Sequence, residues 1–240
     1  MTNSPSAALA IRSLALAMAG SVILTCSQTA FAAEPDDLRA TDGPVWVSEP
    51  GAPFEITATE VTVRQFRACV ESGDCTVESL GDRCNYDNGD RDDHPVNCAS
   101  YDAAADYCTH VGGRVCQESE WLEACRGQED RPFPYGAEFD LAACNVQSTE
   151  STVPGRERVT AAVAGHEGCE GGYDGLYDMA GNVAEWVDPC KDDYCKFRGA
   201  GYLTNEPVDM FAACRGVCSG NDKSLRSGVI GIRCCRDTAP

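Results

Sequence analysis

Apolar positions recur with helical spacing in three stretches of the chain. Val63, Phe66 and Val70 form one stripe, and Gly73 follows as a stop. Thr62, with Gln65 three residues on, is a capping box: each side chain can satisfy a backbone N–H at the helix start. Ala103, Ala104, Tyr107, Cys108 and Val111 share a second face, with Ser100 as the N-cap and Gly112-Gly113 as the end. A third helix is predicted over Glu118–Cys125, with Trp121, Leu122 and Cys125 inward. A strand is predicted around Phe54-Glu55-Ile56. Residues 74–97 contain turn formers and charges without an apolar period, so they read as loop. After Gly127 the periodicity fades into short strands and Gly-rich turns. There is no internal repeat. The pattern predicts one α+β domain over residues 51–237, with a few short helices and strands and much irregular chain.

Two further segments precede that domain. Residues 33–50, AEPDDLRATDGPVWVSEP, read as an acidic, Pro-containing linker. Residues 1–32 read as a signal peptide: Arg12 is the one charge, Leu14–Leu24 is an apolar run, and Ala30-Phe31-Ala32 is a cleavage pattern. Eleven apolar residues are too few for a transmembrane helix, and nothing later is long and apolar enough. The protein is therefore expected to be exported, either periplasmic or secreted. Cys26 after Ile23-Leu24-Thr25 weakly resembles a lipoprotein site, but the Thr fits poorly and lipid anchoring is not expected.

Charge and cysteine content sharpen this picture. The chain carries 19 basic and 38 acidic residues, a net charge of −19. That acidity excludes a binder of the nucleic-acid backbone, which needs a positive footprint. At 43% hydrophobic residues the chain is not disordered. A domain of this size buries roughly 70% of its unfolded-chain surface. Fifteen of the 16 cysteines follow the leader, with no zinc-finger spacing and no thioredoxin-type CxxC. Export makes structural disulfides the expected use. Local pairs Cys69–Cys75, Cys84–Cys98 and Cys190–Cys195 are compatible with the spacing, although spacing does not establish connectivity. An odd count leaves one thiol free or paired between chains.

Seven stretches in order resemble one family, the formylglycine-generating enzymes or sulfatase-modifying factors. They are FEITATEVTVRQFRAC (54–69), DDHPVNCASYDAAADYC (92–108), GGRVCQESEWLEACRG (112–127), YGAEFDLAACN (135–145), GLYDMAGNVAEW (175–186), RGAGY (198–202) and GIRCC (231–235). The resemblance implies a C-type-lectin-like fold. It also implies two long-range disulfides, Cys108 with Cys234 and Cys125 with Cys214. The first closes a loop for which the chain-entropy account gives about 4–5 kcal/mol.

The resemblance further implies a calcium site. Its donors are the side chains of Asp178 and Glu185 and the carbonyls of Gly181 and Val183. Calcium takes six to eight oxygens, and a tight Gly-bearing turn can aim carbonyls at a point shared with two carboxylates. The bland alternative is that Asp178 and Glu185 bond to loop N–H groups. A second calcium site would begin with Asn145 and Val146, its other donors falling in the stretch that follows.

Family enzymes oxidise a sulfatase cysteine to formylglycine with oxygen and copper(I), held by a CxxxxC pair. Paired thiolates are soft ligands that select copper(I). The matching segment here, Gly199–Phe211, has no cysteine; Thr204 and Asp209 stand in the pair's places. Copper is therefore not expected. A shifted pair, Cys214 and Cys218, is the one fallback, although Cys214 matches a disulfide position and Cys218 could instead pair with Cys116 or Cys235. His94, His110 and His166 form no HxxxH pattern, which counts against the iron site of related sulfoxide synthases. The leading expectation is an exported, calcium-stabilised binding or structural module. The alternative is an oxidase working through Cys214 and Cys218. Loops 74–97 and 203–228 are the candidate surface for a protein or small-molecule ligand.

Overall fold

The computed structural model describes residues 1, 33–77, 81, 83–146, 159–203, 214–215 and 219–238. The expected leader, with Arg12 and Cys26, lies outside them, as do Thr204, Asp209 and Cys218. No helix among the described residues is long and apolar enough to cross a membrane.

Among the described residues, four α-helices and eight short strands make a mixed α+β fold. The helices are α1 (Pro35–Ala40), α2 (Val63–Ser72), α3 (Tyr101–His110) and α4 (Glu118–Arg126). The strands are β1 (Trp46–Val47), β2 (Phe54–Thr57), β3 (Arg114–Val115), β4 (Ala184–Lys191), β5 (Tyr194–Arg198), β6 (Ser219–Asp222), β7 (Ile230–Gly231) and β8 (Cys234–Asp237). One antiparallel sheet has the order β1-β2-β8-β3; the other has the order β6-β5-β4-β7, with β4 and β7 parallel.

Local chemistry explains the helices. At α2, Thr62 Oγ1 accepts from the Gln65 N–H and Gln65 Oε1 accepts from the Thr62 N–H, the reciprocal capping box. Gly73 closes that helix at φ 89°, a left-handed conformation that only glycine adopts cheaply. Ser100 caps α3 through the Ala103 N–H. In α4 the fully buried face is Trp121, Ala124 and Cys125; Leu122 is only partly covered. Residues 33–50 are not a free linker. Leu38 of α1 is buried against Ala58, Ala164 and Tyr177. Arg39 donates to the carbonyls of Val163 and Ala164 at 2.8 and 2.9 Å, and β1 pairs with β2.

Among the described residues seven disulfides hold the irregular chain: Cys69–Cys75, Cys84–Cys98, Cys108–Cys234, Cys116–Cys235, Cys125–Cys214, Cys144–Cys169 and Cys190–Cys195. Cys116 and Cys235 are each other's partner, so neither is available to Cys218. Adjacent residues of a strand point to opposite faces. On β8, Cys234 therefore joins the cluster of Phe66, Tyr107 and Trp186, while Cys235 joins the cluster of Trp121, Leu176 and Met179. One strand thus ties both cores to the helical first half.

Candidate functional site

Three carboxylates and one guanidinium meet between the two cores. Glu60 follows β2, Asp178 and Asn182 lie in the loop before β4, Glu185 is on β4, and Arg233 precedes β8. Each of these five side chains is buried. Arg233 is a three-way clamp. Its Nε donates to Glu185 Oε1 at 2.8 Å, Nη1 to the Thr57 carbonyl at 2.6 Å, and Nη2 to the Tyr177 carbonyl at 2.7 Å. The other Glu185 oxygen accepts from Trp121 Nε1. Glu60 takes the Val183 N–H at 2.9 Å and Asn182 Nδ2 at 2.7 Å. Asp178 Oδ2 takes the Ala164 N–H at 2.6 Å.

Asn182 connects this centre to the surrounding loops. Its Oδ1 accepts from the Ala161 N–H and from Asn145 Nδ2, at 2.9 and 3.2 Å. Its backbone N–H goes to the Asn145 carbonyl, and its carbonyl receives the Tyr202 N–H. Gly181 sits at φ 90° with the Asn145 carbonyl so close that any side chain there would collide with it. Asp178 and Asn182 also adopt positive φ, which short polar side chains tolerate best.

Burial dominates the protonation of the acids. It pushes Asp178 up to about 6, against the pull of the Ala164 N–H and Arg233. Burial also raises Glu60 well above the usual range, aided by the charges of Asp178 and Glu185. Glu185 is raised by burial and pulled back by Arg233 and Trp121. One guanidinium faces three acids, so removal from water favours their neutral forms.

The expected calcium donors can be tested against this geometry. Both Glu185 oxygens already accept hydrogen bonds, from Arg233 and Trp121, and Asp178 accepts from the Ala164 N–H. Among the described residues no group of three or more His, Cys, Asp or Glu side chains is arranged to hold a metal. Each Glu185 oxygen keeps a second lone pair, but an ion bound there would sit against the positive Arg233 guanidinium. In this arrangement the positive charge that Glu185 faces is the Arg233 guanidinium. At the second expected site, the Asn145 side chain donates to the Val159 carbonyl at 3.1 Å and to Asn182. The donors expected beyond Val146 fall at 147–158, outside the described residues. Glu60 and Arg233 are the members that sequence reasoning missed. The available signal was a lone ionised residue in each of two otherwise apolar or hydroxylic runs, TATEVT and GIRCC.

The other candidates are scattered. Cys214 is bonded to Cys125, and the pair is buried. It is therefore not a free thiol, and the fallback pair of Cys214 with Cys218 lacks one of its two thiolates. His94 Nδ1 pairs with Thr160 Oγ1 at 2.9 Å, and burial lowers its pKa. His110 lies beside Asp74 at 2.7 Å, and His166 precedes the 3-10 turn at Glu167–Cys169. Loop 74–97 is pinned by Cys84–Cys98 and by buried Asn85, which donates to the Pro95 carbonyl and Thr160 Oγ1. Half of the expected loop surface at 203–228, including 204–213, falls outside the described residues.

Fold and centre together define a disulfide-braced α+β domain whose loops close on a buried ionic cluster. The chain belongs to the family of the sulfatase-modifying factor enzyme 1-like domain, whose model matches residues 13–238. It is 28% identical over 179 residues to the formylglycine-generating enzyme of Bos taurus, covering 62% of this chain and 46% of that protein. It is 30% identical over 156 residues to the inactive C-alpha-formylglycine-generating enzyme 2 of Mus musculus, covering 58% and 48%. The chain thus spans about half the length of these relatives. Among solved structures, CarF superposes with a TM-score of 0.61 at 18% identity, over 82% of this chain and 96% of the other. At that identity the likeness shows the fold alone.

Proposed function

We propose that this protein is an extracytoplasmic member of the family that lacks the copper–thiolate oxidase centre and acts as a binding or structural module. The observation that carries this is the segment Gly199–Phe211, which holds Thr204 and Asp209 where the resemblance places two cysteines. A hydroxyl and a carboxylate are hard donors and do not select copper(I). The fallback oxidase through Cys214 and Cys218 needs Cys214 as a thiolate, and that sulfur is bonded to Cys125. A relative named as inactive lends support, since the fold evidently outlives the activity there. Seven disulfides suit an oxidising compartment. In this reading the centre at Glu60, Asp178, Glu185 and Arg233 is the keystone of the frame rather than an ion site.

One assay tests the proposal. The protein is incubated with copper, oxygen, a thiol reductant and a sulfatase-type cysteine peptide, and the peptide is weighed by mass spectrometry. No formylglycine mass change is expected. Turnover that depends on Cys218 would instead establish the oxidase.

A further inference from the structure

The two loops expected from the sequence to carry a ligand surface meet at one corner. Asn97 Nδ2 donates to the Arg83 carbonyl at 2.9 Å and to the Gly228 carbonyl at 2.7 Å, which ties the first loop to the end of the second. The Cys84–Cys98 bond, and the Asn85 N–H on Asn97 Oδ1 at 2.8 Å, pin the same turn. Three features of this corner have no part in holding the frame. First, Arg83 and Arg91 make no ion pair among the described residues, whereas Arg64 and Arg67 face Asp93 and Asp92 at 2.9 and 3.2 Å. Acidic residues outnumber basic ones 38 to 19, so partners are not scarce. Second, a neutral group positions Arg91. Its Nη1 donates to Oδ1 of the fully buried Asn85 at 2.7 Å, which fixes the guanidinium and leaves its charge uncancelled. Third, Tyr202 is only 4% exposed, and its hydroxyl makes no hydrogen bond among the described residues. Buried hydroxyls without a partner are uncommon and call for an explanation. That hydroxyl reaches the same corner: a side chain on Gly228 would meet it at 3.6 Å and Arg83 Cβ at 2.9 Å. Burial raises the pKa of the phenol, and the charges of Arg83 and Arg91 pull against that rise.

We propose that Arg83, Arg91 and the Tyr202 hydroxyl bind the carboxylate of an acidic ligand. A guanidinium holds its N–H donors in a planar fork that matches two carboxylate oxygens, and a protonated phenol adds one more donor. Charge-assisted bonds of this kind are roughly twice as strong as neutral ones. A monoanion is the favoured guest, because repulsion by a chain of net charge −19 grows with the charge of the ligand. Phosphate and polyanions are poorer guests for the same reason. His94, on Thr160 Oγ1 at 2.9 Å, adds no charge: burial, then the Arg91 guanidinium, lower its pKa. The carboxylate can come from a small acid or from an acidic residue of a peptide. This names a ligand class for the binding-module reading and rests on it, but the two fail separately. Formylglycine turnover would remove the module reading and leave carboxylate binding measurable. Absence of carboxylate binding would leave the missing thiolate pair as it is.

The test is NMR titration of the whole oxidised protein with Nα-acetyl-glutamate methylamide and with a peptide bearing one glutamate. The glutamine isosteres serve as uncharged controls, and inorganic phosphate as the dianion. Shifts are expected at Tyr202, Gly228 and Asn97 with the glutamate probes and not with glutamine. Response to both glutamate probes supports a small acid as guest; response to the peptide alone supports a peptide. Arg83→Gln and Arg91→Gln should each weaken binding about three- to tenfold, and Tyr202→Phe should weaken it without lowering the thermal midpoint. Lys191→Gln, an exposed change on the β4–β5 hairpin, should change nothing. Arg83 is exposed, so its variant should fold as the wild type does. Equal binding of the glutamine isosteres, no response to either glutamate probe, tighter binding of phosphate, or full retention in Arg83→Gln would overturn the proposal.

Discussion

Arg233 and Glu185 form a fully buried ion pair at 2.8 Å, and the pair joins the last strand to the fourth. The same guanidinium binds the carbonyls of Thr57 and Tyr177, so four distant segments share one cation. A buried ion pair is weak evidence for net stability, but removing one partner leaves an uncompensated charge.

Arg233→Met should therefore be among the most damaging single changes, costing about 3–5 kcal/mol or preventing folding. Arg233→Lys keeps the charge but not the planar fork, so the Thr57 and Tyr177 carbonyls lose donors and an intermediate loss is expected. Adding Glu185→Gln to Arg233→Met should recover part of the deficit. Denaturant unfolding measures all three. A loss below about 1 kcal/mol for Arg233→Met would contradict the keystone role.

The raised pKa of Asp178 has a definite sign in stability. In the folded state it titrates at about 6, above the ordinary aspartate value, so the folded chain binds the extra proton. Its contribution is fully present below about pH 4 and is lost as pH rises through about 6, on the order of 2–3 kcal/mol. Asp178→Asn keeps an acceptor for the Ala164 N–H and tolerates the φ of 59°. That variant should match or exceed the wild type at pH 7 and show a flatter profile between pH 4 and 7.5. Unfolding free energies of both proteins across that range give the comparison. A wild-type profile parallel to that of Asp178→Asn would count against the shift.

Calcium should leave the thermal midpoint unchanged up to millimolar concentration, because Glu185 is held by Arg233 and Trp121. A ligand that binds only the folded state raises its stability in proportion to the logarithm of concentration over Kd. A calcium-dependent rise, lost in Asp178→Ala, would restore the ion site.

The pairing of Cys234 and Cys235 to opposite faces can be read directly by peptide mapping under non-reducing conditions. Cys108 should be recovered linked to Cys234, and Cys116 to Cys235. Each bond spans more than 100 residues, so replacing either pair by serines should cost about 2–5 kcal/mol. Recovery of Cys116 linked to Cys218 would reverse the assignment.

Much of the helical frame was legible because its signals are local. The Thr62/Gln65 box, the Ser100 cap and the Gly73 stop each act over three or four residues. The linker reading at 33–50 was not sound, since the burial of Leu38 depends on Ala58, Ala164 and Tyr177, which no short window contains. The site divides in the same way. GLYDMAGNVAEW marks where Asp178 and Glu185 lie, and the resemblance supplied calcium as their partner. Which cation they face was decided by Arg233, 48 residues beyond Glu185.

The sequence alone determined the mixed α+β class, the three amphipathic helices with caps on two of them, the acidic composition, and the absence of cysteine between Gly199 and Phe211. Those are properties of composition, short-range periodicity and residue identity. Only the tertiary structure decided that Glu60 and Arg233 join the buried acids and that Cys116 and Cys235 bond to each other. The reason is that burial and partner choice are set by contacts over 48 to 122 residues of separation. A charge in the sequence says nothing of how far it will sit from water until the chain has closed around it.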